Sequence, residues 1–111
     1  FLSGEMVAQL PGILETTCPI INDINPATVM NMALFRLAYS TSDFDFYIVV
    51  DDNEKDLPAV AASAYKAIRH VKQRPVDIVV GTKSRFNELK NQYTVENEVF
   101  HKGVLLYGTA G

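Results

Sequence analysis

Apolar residues change their spacing along the chain, and the spacing predicts alternating strands and helices. Phe44–Val50 is a nearly continuous run of aromatic and β-branched residues, which predicts a strand covered on both faces. Leu57–Val71 instead repeats apolar residues every three or four positions, which predicts a helix with one buried stripe. Asp56 precedes this helix, and Pro58 falls in its first turn, where proline is tolerated.

Weaker patterns predict the remaining elements. Thr28–Phe35 and Val76–Val80 are typical of strands, and Gly81 is expected to end the second. The other predicted elements are two short helices and a last edge strand: Arg85–Asn91 capped by Ser84, Val95–Lys102 capped by Thr94 and ended by Gly103, and Val104–Tyr107. This order of elements predicts an α/β fold in which helices pack on a mixed sheet.

The segment before the first predicted strand has a different character. Pro11, Pro19 and Pro26 interrupt it, and the stretches between them have weak helical character. We therefore predict an N-terminal helical segment over 1–27 and a core over 28–111. The total of 111 residues suits a single compact domain.

Composition and charge exclude several classes of function. The net charge of −3 argues against strong nucleic-acid binding, which needs a dense face of Lys and Arg. The apolar runs fall far short of the roughly 20 residues that span a bilayer, and we expect neither a membrane span nor a signal peptide. Cys18 is the single cysteine, so no internal disulfide forms, and a cytoplasmic location is expected.

An acidic pair opens the most apolar predicted strand. Asp43 and Asp45 are two residues apart, so in a strand their side chains project to the same face. At about 6 Å and an effective dielectric constant of about 20, two carboxylates repel each other by about 3 kcal/mol. A divalent cation offsets this repulsion, and carboxylate oxygens suit Mg²⁺ or Mn²⁺. The pair therefore predicts a metal site.

Asp77 is a third acid, within the apolar strand Val76–Val80. If this strand pairs beside Phe44–Val50, Asp77 reaches the side of Asp43 and Asp45. Three carboxylates on adjacent strands can hold two metal ions, which activate a hydroxyl and stabilise a leaving pyrophosphate. The alternative is a generic α/β domain in which these acids are solvated strand ends, because short acidic motifs are weakly specific.

The motifs from Leu34 to Gly108 resemble the minimal nucleotidyltransferases of the DNA polymerase beta superfamily. The resemblance rests on four segments: Leu34 and Phe35, Ser42–Asp45, Val76–Val80 and Lys102–Gly108. It implies a nucleotidyltransferase-like fold and the transfer of AMP from ATP to a hydroxyl acceptor with two Mg²⁺ ions.

The resemblance also implies roles for individual residues and a class of partner. Asp43 and Asp45 match the metal-binding pair, Asp77 matches the third carboxylate and the base near the acceptor, and Ser42 lies at the nucleotide-binding position. Proteins of this kind pair with a helical toxin that they modify, and homo-oligomers are compatible with the sequence.

One departure from the family pattern separates two hypotheses. The family has a Gly-Ser pair after the Leu-Phe strand end, where backbone N–H groups grip the triphosphate. Here Arg36 follows Phe35, and no Gly-Ser precedes Asp43. Either that loop is not included in this sequence, or it is lost and the metal site has no such grip. In the second case the chain is an antitoxin-like interaction module that docks on its partner without catalysis.

Overall fold

The computed structural model describes residues 28–36, 44–69 and 76–108. The predicted helical segment over 1–27 lies outside these residues, as do Ser42 and Asp43. The described elements, in chain order, are β1 (Val29–Phe35), β2 (Phe44–Val50), α1 (Leu57–Ile68), β3 (Val76–Thr82), α2 (Lys83–Leu89), α3 (Val95–Lys102) and β4 (Val104–Tyr107). This is the predicted order of strands and helices.

The strands form one mixed sheet in the order β3-β2-β1-β4. Strand β1 runs antiparallel to both β2 and β4, whereas β2 and β3 are parallel and are connected through α1. The prediction of a mixed α/β fold with helices packed on a sheet is therefore confirmed for the described part of the chain. None of its helices is long and apolar enough to cross a membrane.

The sheet has a helical layer on each side. On the α1 face, Phe46, Ile48 and Val50 pack with Val60, Ala64 and other residues of α1. On the opposite α2–α3 face, Tyr47 and Val49 pack with Phe86 of α2 and Val99 of α3. All seven residues of β2 are buried, as the continuous apolar run predicted. Residues of β2 therefore alternate between two covered faces.

Side-chain caps fix the starts of α1 and α3, and the Thr94 cap of α3 was predicted. The Asp56 carboxylate accepts a hydrogen bond from the Ala59 amide at 3.0 Å, and the Thr94 hydroxyl accepts one from the Asn97 amide at 3.1 Å. Each cap satisfies a backbone donor that has no partner within its helix. Helix α3 ends before Gly103, also as predicted.

Two predicted boundaries near Gly81 are wrong. Strand β3 does not end at Gly81 but continues through it to Thr82, because the glycine leaves room for the Tyr47 side chain above it. Helix α2 also begins earlier than predicted, at Lys83, and its cap is Thr82, which accepts from the Arg85 amide at 3.2 Å. The predicted cap, Ser84, instead donates its amide hydrogen to Asp52 Oδ1 at 2.8 Å.

Candidate functional site

Two of the predicted acidic residues lie opposite each other in the sheet. Asp45 is the second residue of β2 and Asp77 the second residue of β3. The strands are parallel, and Asp45 and Asp77 are register partners. Because register partners in neighbouring strands point to the same face, both carboxylates project on the α2–α3 face. The fold thus brings together two acids that are 32 positions apart in the chain.

The two acids differ in their exposure to solvent. Asp45 is 2% exposed, whereas Asp77 is exposed on the outer strand of the described sheet. Neighbouring strands are about 4.8 Å apart, so two charged carboxylates at this spacing repel by about 3 kcal/mol at an effective dielectric constant of about 20. A hard cation relieves such repulsion and takes carboxylate oxygens as ligands. The arrangement offers one buried oxygen donor and one that solvent or a substrate can reach.

The other predicted ligands stay predictions. Asp43 and Ser42 lie outside the described residues. Within residues 28–36, 44–69 and 76–108, no group of three His, Cys, Asp or Glu side chains is placed to hold a metal ion. The part of the candidate centre that the structure describes is therefore the pair of Asp45 and Asp77.

A buried polar pair lies on the same face, next along β2. The Tyr47 hydroxyl donates a hydrogen bond to Glu96 Oε2 at 2.7 Å, and the two residues are 0% and 6% exposed. Burial, followed by the hydrogen bond to Glu96 and its negative charge, raises the pKa of Tyr47 far above the usual range, against a smaller opposing effect of Arg85. The phenol therefore stays a donor to the carboxylate.

Gly81 completes the packing around this pair. A Cβ atom added to Gly81 would collide with the Tyr47 hydroxyl, so the ring lies directly over the glycine. The Tyr47 side chain thus contacts β3 at Gly81 and α3 at Glu96. The hydrogen bond joins α3 to β2 two residues from Asp45.

Sequence reasoning placed Tyr47 in the core but missed its partner. Glu96 lies in the first turn of α3, where an acid favours the helix dipole even without a buried partner. A signal was present: Glu96 precedes Val99 by three positions and so lies on the buried stripe of α3. A glutamate on a buried stripe requires a donor, and Tyr47 supplies it.

The acidic turn after β2 is separate from the candidate centre. Thr28, Asp51, Asn53 and Glu54 line a polar depression at the other end of β2. Asp51 lies six positions beyond Asp45, roughly 20 Å along a strand. Its Oδ1 accepts a hydrogen bond from the Asn53 amide at 2.8 Å, and Glu54 Oε1 accepts one from the Asp56 amide at 3.0 Å. These carboxylates therefore stabilise the turn.

No protein-family model, curated protein or solved structure matches the chain. The comparisons assign it to no family, so the resemblance to nucleotidyltransferases rests on the motifs of the sequence. The feature of the described residues that bears most on function is therefore the alignment of Asp45 with Asp77 in the sheet.

Proposed function

We propose that the chain is a metal-dependent nucleotidyltransferase that transfers a nucleoside monophosphate, AMP from ATP, to a hydroxyl acceptor. The observation that carries the proposal is the register of β2 and β3, which aligns Asp45 with Asp77 on one face of the sheet. Two aligned carboxylates on adjacent strands suit a divalent cation. The type of reaction is suggested by the motifs Ser42–Asp45 and Val76–Val80, which resemble those of nucleotidyltransferases.

The difference in exposure suggests different roles for the two acids. Asp45 is nearly enclosed, which suits a fixed ligand of Mg²⁺ or Mn²⁺. Asp77 is exposed, so it can both contact the cation and accept the proton of an incoming hydroxyl group. The acceptor oxygen then bonds to the α-phosphorus of ATP as the bond to the leaving pyrophosphate breaks. A bound Mg²⁺ ion supplies charge stabilisation for that leaving group.

The proposal includes Asp43 and Ser42 on the strength of the sequence alone. Asp43 would be a further metal ligand, two positions before Asp45, and Ser42 would contact the nucleotide. We place the reaction in the cytoplasm, where ATP is available. The acceptor is a hydroxyl group on a partner protein, of the helical toxin kind that the motifs suggest.

Metal-dependent ATP binding tests the proposal. Wild-type protein should bind ATP when Mn²⁺ is present, and Asp45→Asn should weaken this binding by roughly 10- to 100-fold, since loss of a group that only supports a metal ligand already lowers metal affinity by that much. Glu88→Gln is a matched control, because it also neutralises one acid but lies exposed on α2. Wild-type protein that binds no ATP with Mn²⁺ present would contradict the proposal.

A second candidate function is docking without catalysis. It is favoured by the absence of a Gly-Ser pair between Phe35 and Asp43. In this case Asp45→Asn should still co-purify with the partner protein and still neutralise it. Loss of neutralisation in Asp45→Asn, with complex formation intact, would exclude docking alone and favour transfer.

A further inference from the structure

Strand β3 is the outer strand next to β2 in the described sheet, so its outward backbone groups need partners from elsewhere. In a strand, successive N–H groups point alternately to opposite sides. The N–H of Ile78 donates a hydrogen bond to the hydroxyl oxygen of Tyr65 at 2.8 Å. Tyr65 belongs to α1, the helix that connects β2 to β3, and is 37% exposed. The side chain therefore ties the outer strand to the helix beside it.

The position of this hydrogen bond matters for the candidate centre. The Ile78 nitrogen belongs to the peptide group that joins Asp77 to Ile78, so the bond restrains the backbone that carries Asp77. On its inner side the same strand is restrained by its pairing with β2, which aligns Asp77 with Asp45. The two restraints act on opposite edges of β3 at the level of the acid pair.

We propose that Tyr65 is a positioning residue for Asp77, and that it keeps this carboxylate at the distance from Asp45 that a shared cation requires. The inference rests on the proposed function. Tyr65 lies on the α1 side and acts through the backbone of β3, whereas the Asp77 carboxylate projects on the α2–α3 face. The role is therefore indirect: Tyr65 fixes the strand, and the strand fixes the ligand. Metal sites depend on such supporting hydrogen bonds around their ligands.

A purely structural role for Tyr65 would stabilise the edge of the sheet without affecting the cation. The two roles differ in their effect on metal affinity when the protein is fully folded. Tyr65→Phe removes the hydroxyl and leaves the ring in place. Two controls match it: Tyr93→Phe removes a hydroxyl from a fully exposed ring, and Thr94→Ala loosens the start of α3 without touching β3.

The experiment measures two quantities on each folded variant: Mn²⁺ affinity by electron paramagnetic resonance, and hydrogen exchange of the Ile78 amide by NMR. In Tyr65→Phe, we expect exchange at Ile78 to become roughly two- to ten-fold faster, the range for loss of one hydrogen bond. We expect Mn²⁺ affinity to fall roughly ten-fold, as loss of a supporting group around a metal ligand does. Both controls should keep the Mn²⁺ affinity of the wild type.

Each contrary result has a distinct meaning. Unchanged exchange at Ile78 would show that Tyr65 does not anchor the strand. Faster exchange with unchanged Mn²⁺ affinity in Tyr65→Phe would mean that Tyr65 only protects the edge of the sheet, which would overturn the positioning role. A loss of Mn²⁺ affinity in Thr94→Ala as large as that in Tyr65→Phe would also overturn it. Wild-type protein that binds no Mn²⁺ would overturn the proposed function and the positioning role together. The exchange measurement would still decide whether the anchor exists.

Discussion

The two faces of the sheet are made from the same strands but from different chemistry. On the α1 face, β2 contributes only apolar side chains, and its buried residues pack against the apolar stripe of α1. On the α2–α3 face, the alternate residues of β2 are Asp45, Tyr47 and Val49, and β3 adds Asp77 and Gly81. Each strand therefore divides its residues between a packing surface and a surface that carries polar groups.

The α1 face mainly stabilises the fold, whereas the α2–α3 face also carries the polar groups that could take part in chemistry. Apolar packing on the α1 face is nondirectional and depends on the area that is removed from water. The α2–α3 face depends on specific partners, because a buried polar group is costly unless it is hydrogen-bonded. Substitutions on the first face should act through volume. Those on the second should act through single atoms, even where the volume is unchanged.

The largest expected effect on stability comes from the α1 face. Phe46 is fully buried in the cluster beneath α1. Phe46→Ala should lower the free energy of unfolding by about 3–5 kcal/mol, because it removes a large apolar side chain and leaves a cavity. Denaturant titration measures the change. Tyr93→Ala is the control, since this ring is fully exposed and its loss should change stability by less than about 0.5 kcal/mol. A similarly small effect for Phe46→Ala would mean that the α1 face is not the main packing surface.

Removal of one oxygen atom tests the α2–α3 face. Tyr47→Phe keeps the volume of the ring but leaves the buried Glu96 carboxylate without the donor at 2.7 Å. We expect a loss of about 1.5–3 kcal/mol, the range for a hydrogen bond to a charged group. Tyr93→Phe removes the same atom from an exposed ring and should be nearly neutral. Equal stability of the two variants would show that the polar pair contributes nothing beyond packing.

Addition of one carbon atom probes the same contact from the opposite strand. Gly81→Ala places a methyl group against the Tyr47 hydroxyl, and overpacking of this kind costs about 1–3 kcal/mol. The double variant Gly81→Ala, Tyr47→Phe removes the colliding oxygen, so its loss should be smaller than the sum of the two single losses. Thermal or denaturant unfolding of all four proteins measures the coupling. Additive losses would mean that the hydroxyl does not fill the space above Gly81.

The fold was predictable to the extent that its signals are local. Strand β2, helix α3 and strand β4 occur where the pattern of apolar residues, the Thr94 cap and Gly103 place them. The error at Gly81 has a nonlocal cause. A glycine within a strand commonly marks a break, but here the space that it leaves is filled by Tyr47 of the neighbouring strand. Only the pairing of β2 with β3 reveals that contact.

The candidate site was predictable in its residue types and less so in its geometry. The sequence singled out Asp45 and Asp77 as partners on the condition that their strands pair, and β2 and β3 do pair in that register. The hydrogen bonds of Glu96 and Tyr65 were not predicted. Both hydrogen bonds depend on which side of a helix meets the sheet. Glu96 is 49 positions from its partner in the chain, and Tyr65 is 13 positions from its partner. The periodicity of a helix predicts which of its residues are buried, but it does not predict the hydrogen-bond partner of a buried residue.

The smallest expected effect is on the stability of the protein at alkaline pH, which depends on Tyr47 of the α2–α3 face. The pKa of Tyr47 is raised in the folded state, above a value of about 10 in the unfolded chain. The folded state therefore holds this proton more tightly, so the stabilisation is fully present below pH 10 and is lost as pH rises above it.

We expect wild-type protein to lose about 1 kcal/mol more stability than Tyr47→Phe between pH 10 and pH 11, because the unfolded tyrosine goes from about half to about nine-tenths ionised over this interval while the folded one keeps its proton. Urea titrations of both proteins at several pH values measure the difference. Parallel curves for wild type and Tyr47→Phe would mean that Tyr47 ionises as easily folded as unfolded. The α2–α3 face would then hold its phenol no more strongly than water does, and the distinction between the two faces would reduce to the acid pair alone.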